Sequence, residues 1–270
     1  MGSAPTTLRS TPTIRAWTPG VDGVAEVLHA HYPSHAYPPH THDTWTLLVV
    51  DSGEIGFELD RHDHGALPAV VTLLPPHVPH DGRSVTPRGF RKRVVYLEED
   101  VLGSDRIGPA VDHPGWADRD LLAAVRGLDD ALARPHDRFE AETRLAVVAD
   151  ALRRRLVRTP SYDVRDRPLA RRLRAVLDER LTEAVVLQDL ATELGAEPTQ
   201  LVRAFSRQYG IAPYRYLTGR RLDLARRLLL RGVAPAETAT AVGFYDQAHL
   251  TRHFRRLLST TPAAYARSAR

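Results

Sequence analysis

The sequence predicts a mixed fold: an antiparallel β-barrel or sandwich followed by helices, then an all-α C-terminal part built from two helix-turn-helix modules. Three observations carry that prediction. Apolar runs of strand length recur between residues 44 and 97, helical periodicity takes over near Leu121, and one residue pattern occurs twice in the last third of the chain. Leu201, Arg203, Phe205, Pro213 and Tyr216 return 49 residues later as Leu250, Arg252, Phe254, Pro262 and Tyr265. Just upstream, Leu194-Gly195 returns as Val242-Gly243 at an offset of 48, so the copies differ by one turn residue.

Residues 1–39 are rich in Pro, Thr and His and show weak periodicity. The apolar runs follow at 44–50, 55–59, 70–74 and 91–97, parted by Asp51-Ser52-Gly53, by the polar segment 61–65 and by a Pro/His cluster. Leu121, Leu122, Val125, Leu128 and Leu132 then repeat at helical spacing, and 139–157 make a second helix. Both apolar faces need burial, against the barrel or against a second subunit. Residues 158–168 read as a linker, which places the expected domains at 1–160 and 161–270. Beyond it helices are expected at 169–181, 187–194, 198–209, 213–231, 236–242 and 246–258, with a final turn at 262–265. Pro198 and Pro213 sit at first-turn positions where a missing N–H costs nothing. Asp246 is a good N-cap. The helix through Leu222, Leu224, Ala225, Leu228 and Leu229 is expected to join the two modules rigidly.

Composition narrows the function classes. No run of about 18 apolar residues occurs, and no basic segment leads into an apolar one at the N-terminus, so neither a membrane span nor a secretory signal is expected. The absence of cysteine rules out disulfides and thiolate metal sites and suits a cytoplasmic protein. The net charge of +4 is unevenly spread. Residues 196–270 hold thirteen arginines against four acids, a net +9, which leaves −5 on the rest. Such a local excess is the electrostatic footprint of a polyanion-binding surface.

In a helix-turn-helix the second helix enters the major groove, with its first turns at the base edges. With Leu201 and Phe205 facing the core, the same helix presents Thr199, Gln200, Val202, Arg203, Ser206 and Arg207. In the second copy Gln247, His249, Thr251, Arg252 and Arg255 are left outside Leu250 and Phe254. Arginine bonds bidentately to guanine, glutamine to adenine, and a threonine methyl packs on thymine. Arg203 and Arg252 are base-contact candidates, with phosphate contact or a solvated role as the alternatives. Arg207, Arg255, Arg256, Arg220 and Arg221 fit phosphates better, where they add affinity and salt dependence.

The segment 169–267 resembles the AraC/XylS family of bacterial transcription regulators, most specifically in Gly243-Phe244-Tyr245-Asp246-Gln247-Ala248-His249-Leu250-Thr251-Arg252 and the closing Thr261-Pro262…Tyr265. The resemblance implies two modules in successive major grooves of double-stranded DNA, with recognition positions at Thr199, Val202, Arg203, Gln247, His249, Thr251 and Arg252. Three residues depart from the pattern: Glu197 replaces a serine cap, Thr238 a core isoleucine and Ser259 a glycine. Val202 offers no hydrogen bond, so the first module is expected to read less sequence than the second.

Ahead of the first clear strand stands His40-x-His42, and Pro75-Pro76-His77-Val78-Pro79-His80 ends a later one. A hairpin-built barrel brings such segments to one mouth. Three imidazoles, His40, His42 and His80, are sufficient for zinc or another divalent metal with one position open. The arrangement resembles the cupin fold and the sensor domain common in the AraC/XylS family. The metal-binding cupin pattern, however, has a glutamate where this chain has Thr46 or Leu47, and a glycine where it has His77. No cofactor is therefore required. His40, His42, Trp45, His77 and His80 are expected to line either an effector pocket or a metal site, with ordinary hydrogen-bonded histidines as the third reading.

Together these features predict a non-enzymatic, effector-responsive transcription regulator. It is expected to be a homodimer joined through the 121–157 helices, bound to promoter DNA at the nucleoid and in contact with RNA polymerase. The alternatives are a cupin-type metal enzyme with a DNA-binding tail, which lacks a full ligand set here, and an effector-independent DNA binder.

Overall fold

The computed structural model describes residues 12–134, 138–156 and 168–268. The expected linker, apart from Pro168, lies outside them.

Among the described residues, ten strands form two antiparallel sheets: β1 (Thr13–Trp17), β2 (Val24–Tyr32), β3 (Ala36–His40), β4 (Trp45–Ser52), β5 (Ile55–Leu59), β6 (His62–Ala66), β7 (Val71–Leu74), β8 (His80–Ser84), β9 (Phe90–Leu97) and β10 (Gly115–Trp116). The larger sheet runs β1-β2-β9-β4-β7-β10 and the smaller β3-β8-β5-β6. Among the described residues no ladder joins the two sheets, so the expected barrel is an open double sheet. The four apolar runs became β4, β5, β7 and β9. Edge strand β6 came from the polar segment 61–65, which periodicity alone did not mark as a strand; its residues are largely exposed and follow no inside–outside pattern.

Alternation on β4 decides what the sandwich encloses. Leu48 and Val50 point into the space between the sheets, whereas Trp45, Leu47 and Val49 point to the outer face. That face is covered by α1 (Glu99–Leu102), α2 (Ile107–Asp112), α3 (Arg119–Leu132) and α4 (Arg138–Arg155). Asp118 caps α3 by accepting from the N–H groups of Asp120 and Leu121. The apolar stripe of α3 is therefore satisfied within the chain.

Seven helices follow: α5 (Pro168–Glu179), α6 (Leu187–Leu194), α7 (Pro198–Tyr209), α8 (Pro213–Leu230), α9 (Pro235–Ala241), α10 (Gln247–Leu258) and α11 (Pro262–Arg267). Gly195 ends α6 in the left-handed region at φ 64°, and Gly243 takes φ 82° in the second copy. The repeat positions are equivalent in burial: Leu201, Phe205 and Tyr216 are 0% exposed, and Leu250, Phe254 and Tyr265 are 0–1%. Their surroundings differ. The first module has a core of its own, from Ala170 to Leu217. The second shares one continuous core with the space between the sheets, in which Leu222, Phe254, Leu257 and Leu258 join Leu28, Leu48 and Tyr96. The two halves are thus docked through an apolar seam.

Candidate nucleic-acid interface and sensor pocket

Helix α7 begins at Pro198 and α10 begins after Asp246, whose carboxylate accepts from the His249 N–H at 2.6 Å. Glu197 makes no side-chain cap bond, so the first recognition helix lacks the anchor of the second. On α7, Thr199, Gln200, Arg203 and Arg207 are exposed and Val202 and Ser206 half-buried; on α10, Gln247, Arg252 and Arg255 are exposed and His249 and Thr251 half-buried. None of these side chains is drawn into the core. Exposed Tyr245 stands at the turn before α10, and the Tyr214 hydroxyl lies 3.4 Å from His253 Nε2. Burial, then neighbouring His249, Arg252 and Arg256, lower the His253 imidazole to about 4. Neither Tyr214 nor His253 stood out in the sequence, because both sit where module and connecting helix meet.

Arg220 and Arg221 correct the sequence reading. Both were expected at phosphates, and both are used inside the protein. Arg221 donates to the carbonyl oxygens of Leu181, Gly243 and Glu183, at 2.6–2.8 Å. Arg220 pairs with Asp43 at 3.0 Å and Asp178 at 3.3 Å, and Arg227 joins Asp43 at 2.7 Å. Burial alone would raise the Asp43 carboxyl, but Arg227 and Arg220 overcome it and hold it at about 2. Asp43 belongs to the sensor half and both arginines to α8, so this is a docking contact.

Deeper in the seam lies a buried polar cluster. Arg226 of α8 reaches Glu26 of β2 at 2.6 Å, Asp223 at 3.4 Å and the Tyr265 hydroxyl at 3.1 Å. Tyr265 itself donates to Glu26. Asp223 also accepts from Nδ1 of His42 at 2.9 Å. Isolated charges this deep would be costly; here each is paired across the two halves.

His40, His42 and His80 do converge. All three are buried, and one ring nitrogen from each lies within 4.8 Å of the others. They border a cavity of about 40 Å³ between the sheets, together with Tyr37, Thr46, Lys92 and Tyr96. Burial, then the neighbouring His42, lowers His80 to about 3; burial and the other two rings push His40 well below the ordinary range. Lys92 falls to about 7 through burial and then Arg226. Tyr37, Lys92 and Tyr96 were not singled out beforehand; for the last two, alternation along 91–97 was the available signal.

Trp45 and His77 do not belong to this pocket. The strand's two-residue period carries Trp45 to the helix-covered face, where its indole N–H donates to the Glu99 carbonyl at 3.2 Å. His77 sits in a turn at φ 63° with Nε2 3.2 Å from the Glu99 carboxylate. Its departure from the glycine of the cupin pattern thus falls where backbone geometry favours glycine.

Two family models match the chain: an AraC-like ligand binding domain over residues 23–149 and a helix-turn-helix domain over residues 190–268. The HTH-type transcriptional regulator YbfI of Bacillus subtilis is 24% identical over 230 residues, covering 79% of this chain and 81% of that protein. The HTH-type transcriptional activator RhaS of Pectobacterium carotovorum is 25% identical over 259 residues, covering 88% and 90%. Among solved structures, ToxT from Vibrio cholerae O395 superposes with a TM-score of 0.60 at 10% identity, over 96% of this chain and 98% of that one. ToxT with an unsaturated fatty acid bound gives a TM-score of 0.55 at 11% identity, covering 98% and 97%.

Proposed function

The chain belongs to the AraC family of transcriptional regulators, and from that premise we propose how its parts divide the work. The inter-sheet pocket senses a small ligand, and α7 and α10 read promoter DNA in successive major grooves. The observation that carries this reading is the seam: the pocket histidine His42 is bonded to Asp223 on α8, the helix that joins the two reading modules. A ligand that alters His42 therefore acts directly on the element that sets the spacing of α7 and α10.

Arg203 and Arg252 take the base-reading role. Gln200, Thr199, Gln247, His249 and Thr251 flank them, and Val202 adds only an apolar contact. Ser206, Arg207 and Arg255 lie toward the phosphates. The protein acts as a regulator with no catalytic step of its own, in the cytoplasm and at the nucleoid, and engages RNA polymerase at its promoters. No described helix is long and apolar enough to cross a membrane. It works as a homodimer through the α3–α4 side, where Phe139 is 81% and Val147 55% exposed on α4.

ToxT binds an unsaturated fatty acid. A cavity of about 40 Å³ between the sheets holds far less than such a chain, so the species sensed at the histidines here is small.

Selection of DNA sequences by the purified protein, repeated with Arg203→Ala and Arg252→Ala, tests the assignment. The expected product is a motif of two elements roughly one helical turn apart, each losing definition in its own variant. Weak, salt-sensitive and sequence-blind binding by the wild type would sink it.

A further inference from the structure

The hydrogen bonds behind the three histidines point the same way. Nδ1 of His40 lies 2.8 Å from the Pro38 carbonyl, and Nδ1 of His80 lies 3.1 Å from the Val78 carbonyl. A carbonyl only accepts, so both Nδ1 atoms carry the proton. Nδ1 of His42 faces the Asp223 carboxylate at 2.9 Å and donates likewise. Each ring is therefore held as the tautomer whose Nε2 is a bare lone pair. These are the only ring nitrogens the three residues have left to offer, and among the described residues no hydrogen bond involves them. Among the described residues, Thr46 Oγ1, buried at the same cavity, has no hydrogen-bond partner either.

Three converging imidazole acceptors, each oriented from behind by an oxygen, is the arrangement that a borderline divalent ion needs. Hard ions such as magnesium and calcium take oxygen ligands instead. A cavity of about 40 Å³ admits an ion with one or two waters and excludes a larger organic molecule. The 4.8 Å limit on nitrogen separation exceeds the roughly 3.4 Å expected between ligands of tetrahedral zinc, a closing within reach of side-chain rotation. The glutamate missing from the cupin metal pattern leaves three neutral ligands, and a buried carboxylate stands one step further out, behind His42. That carboxylate is Asp223, which comes from the DNA-binding half.

We propose that His40, His42 and His80 bind a zinc-type divalent transition-metal ion through Nε2, with Asp223 of α8 as the outer partner of His42, so that metal occupancy and domain docking are one equilibrium. The proposal rests on the effector-responsive reading above and names the class of effector. Metal on Nε2 makes the Nδ1–H of His42 a stronger donor, which tightens its bond to Asp223 and, through Arg226, to Glu26 and Tyr265. By reciprocity, loosening the dock weakens the metal. The oxygen behind a metal-bound histidine typically changes metal affinity by about 10- to 100-fold.

The test uses full-length protein stripped with a chelator and titrated with Co²⁺, then displaced with Zn²⁺, with affinity for the selected DNA measured before and after. One cobalt per chain, the strong visible band of a tetrahedral site and a metal-dependent change in DNA affinity are expected. His80→Ala should weaken binding by at least about 100-fold, and Asp223→Asn by about 10- to 100-fold. Asp223→Asn should also lose the response of DNA affinity to metal. If folded wild type takes up no stoichiometric cobalt, or His80→Ala binds it equally well, the site is overturned. Sequence-specific DNA binding in that same sample would leave the regulator reading standing. Normal metal affinity in Asp223→Asn, or metal binding that leaves DNA affinity unchanged, would overturn the coupling; sequence-blind DNA binding by a metal-loaded protein would overturn the regulator reading instead.

Discussion

Ser259 donates its hydroxyl to Nδ1 of His35 across 2.8 Å, so the residue that ends the second recognition helix is bonded to the sensor half. The direction follows from His35 Nε2, which lies 3.1 Å from the Leu257 carbonyl and must donate to it. Ser259 holds φ 54°, a left-handed conformation that favours glycine, and its counterpart in the first module is Gly210 at φ 70°. The departure from glycine thus has a cross-domain contact to set against its backbone strain.

Replacing Ser259 separates the two effects. Ser259→Ala keeps the strain and leaves the half-buried His35 acceptor unpaired, a loss of about 1–2 kcal/mol. Ser259→Gly loses the same bond and relieves about 1 kcal/mol of strain, so it should lie close to wild type. Urea unfolding of the two variants checks the order, and Ser259→Ala at least as stable as Ser259→Gly would refute it.

Stability should fall as pH drops from 6.5 toward 4. Burial lowers His35 to about 4, against the Leu257 bond that raises it and with Lys92 adding to the fall; burial lowers His253 to about 4 as well. The unfolded chain therefore takes up these protons first. Stability is fully present above the ordinary histidine value and is lost progressively down to the folded value. His35→Gln should flatten part of the dependence of the urea midpoint on pH across that window. An unchanged slope would count against the assignment.

Asp43 anchors Arg220 and Arg227 at the seam. Because all three are largely buried, Asp43→Ala should cost about 2–3 kcal/mol at neutral pH, mostly by leaving two cations without their partner. Thermal unfolding measures this. A shift no larger than that of an exposed surface pair would show the contact to be incidental.

The two turn glycines should tolerate alanine unequally. A Cβ at Gly195 meets nothing within 4 Å, so Gly195→Ala costs only its left-handed strain, about 1 kcal/mol. A Cβ at Gly243 would stand 2.7 Å from the Thr182 carbonyl oxygen, so Gly243→Ala must also shift backbone. The second variant is expected to lose markedly more stability in the same urea experiment; equal losses would contradict the packing at Thr182.

On DNA, Arg207→Ala and Arg255→Ala should weaken binding evenly across sequences and lower the salt slope by about 1 each. Arg203→Ala and Arg252→Ala should cost about 1–3 kcal/mol and relax preference at particular positions. Fluorescence anisotropy at several salt concentrations distinguishes the two classes, and an unchanged salt slope in the first pair would remove them from the phosphates.

By itself the sequence determined whatever depends on local pattern. Helical periodicity with first-turn prolines and the Asp246 cap placed α6, α7 and α10, and the doubled pattern with its glycines announced two reading modules. Apolar runs marked β4, β5, β7 and β9 because those strands are mostly buried. Polar edge strand β6 and the short β10 carried no such pattern. The convergence of His40, His42 and His80 was legible because hairpins return strand ends to one place. Tertiary structure decided the rest. It sent Trp45 to the outer face, used Arg220 and Arg221 internally, and fused the second module's core with the sensor's. It also set Asp223 behind His42, 181 residues away along the chain. Periodicity reports which face of an element is apolar; which partner covers that face, and which charges meet across it, is settled only when the two halves pack.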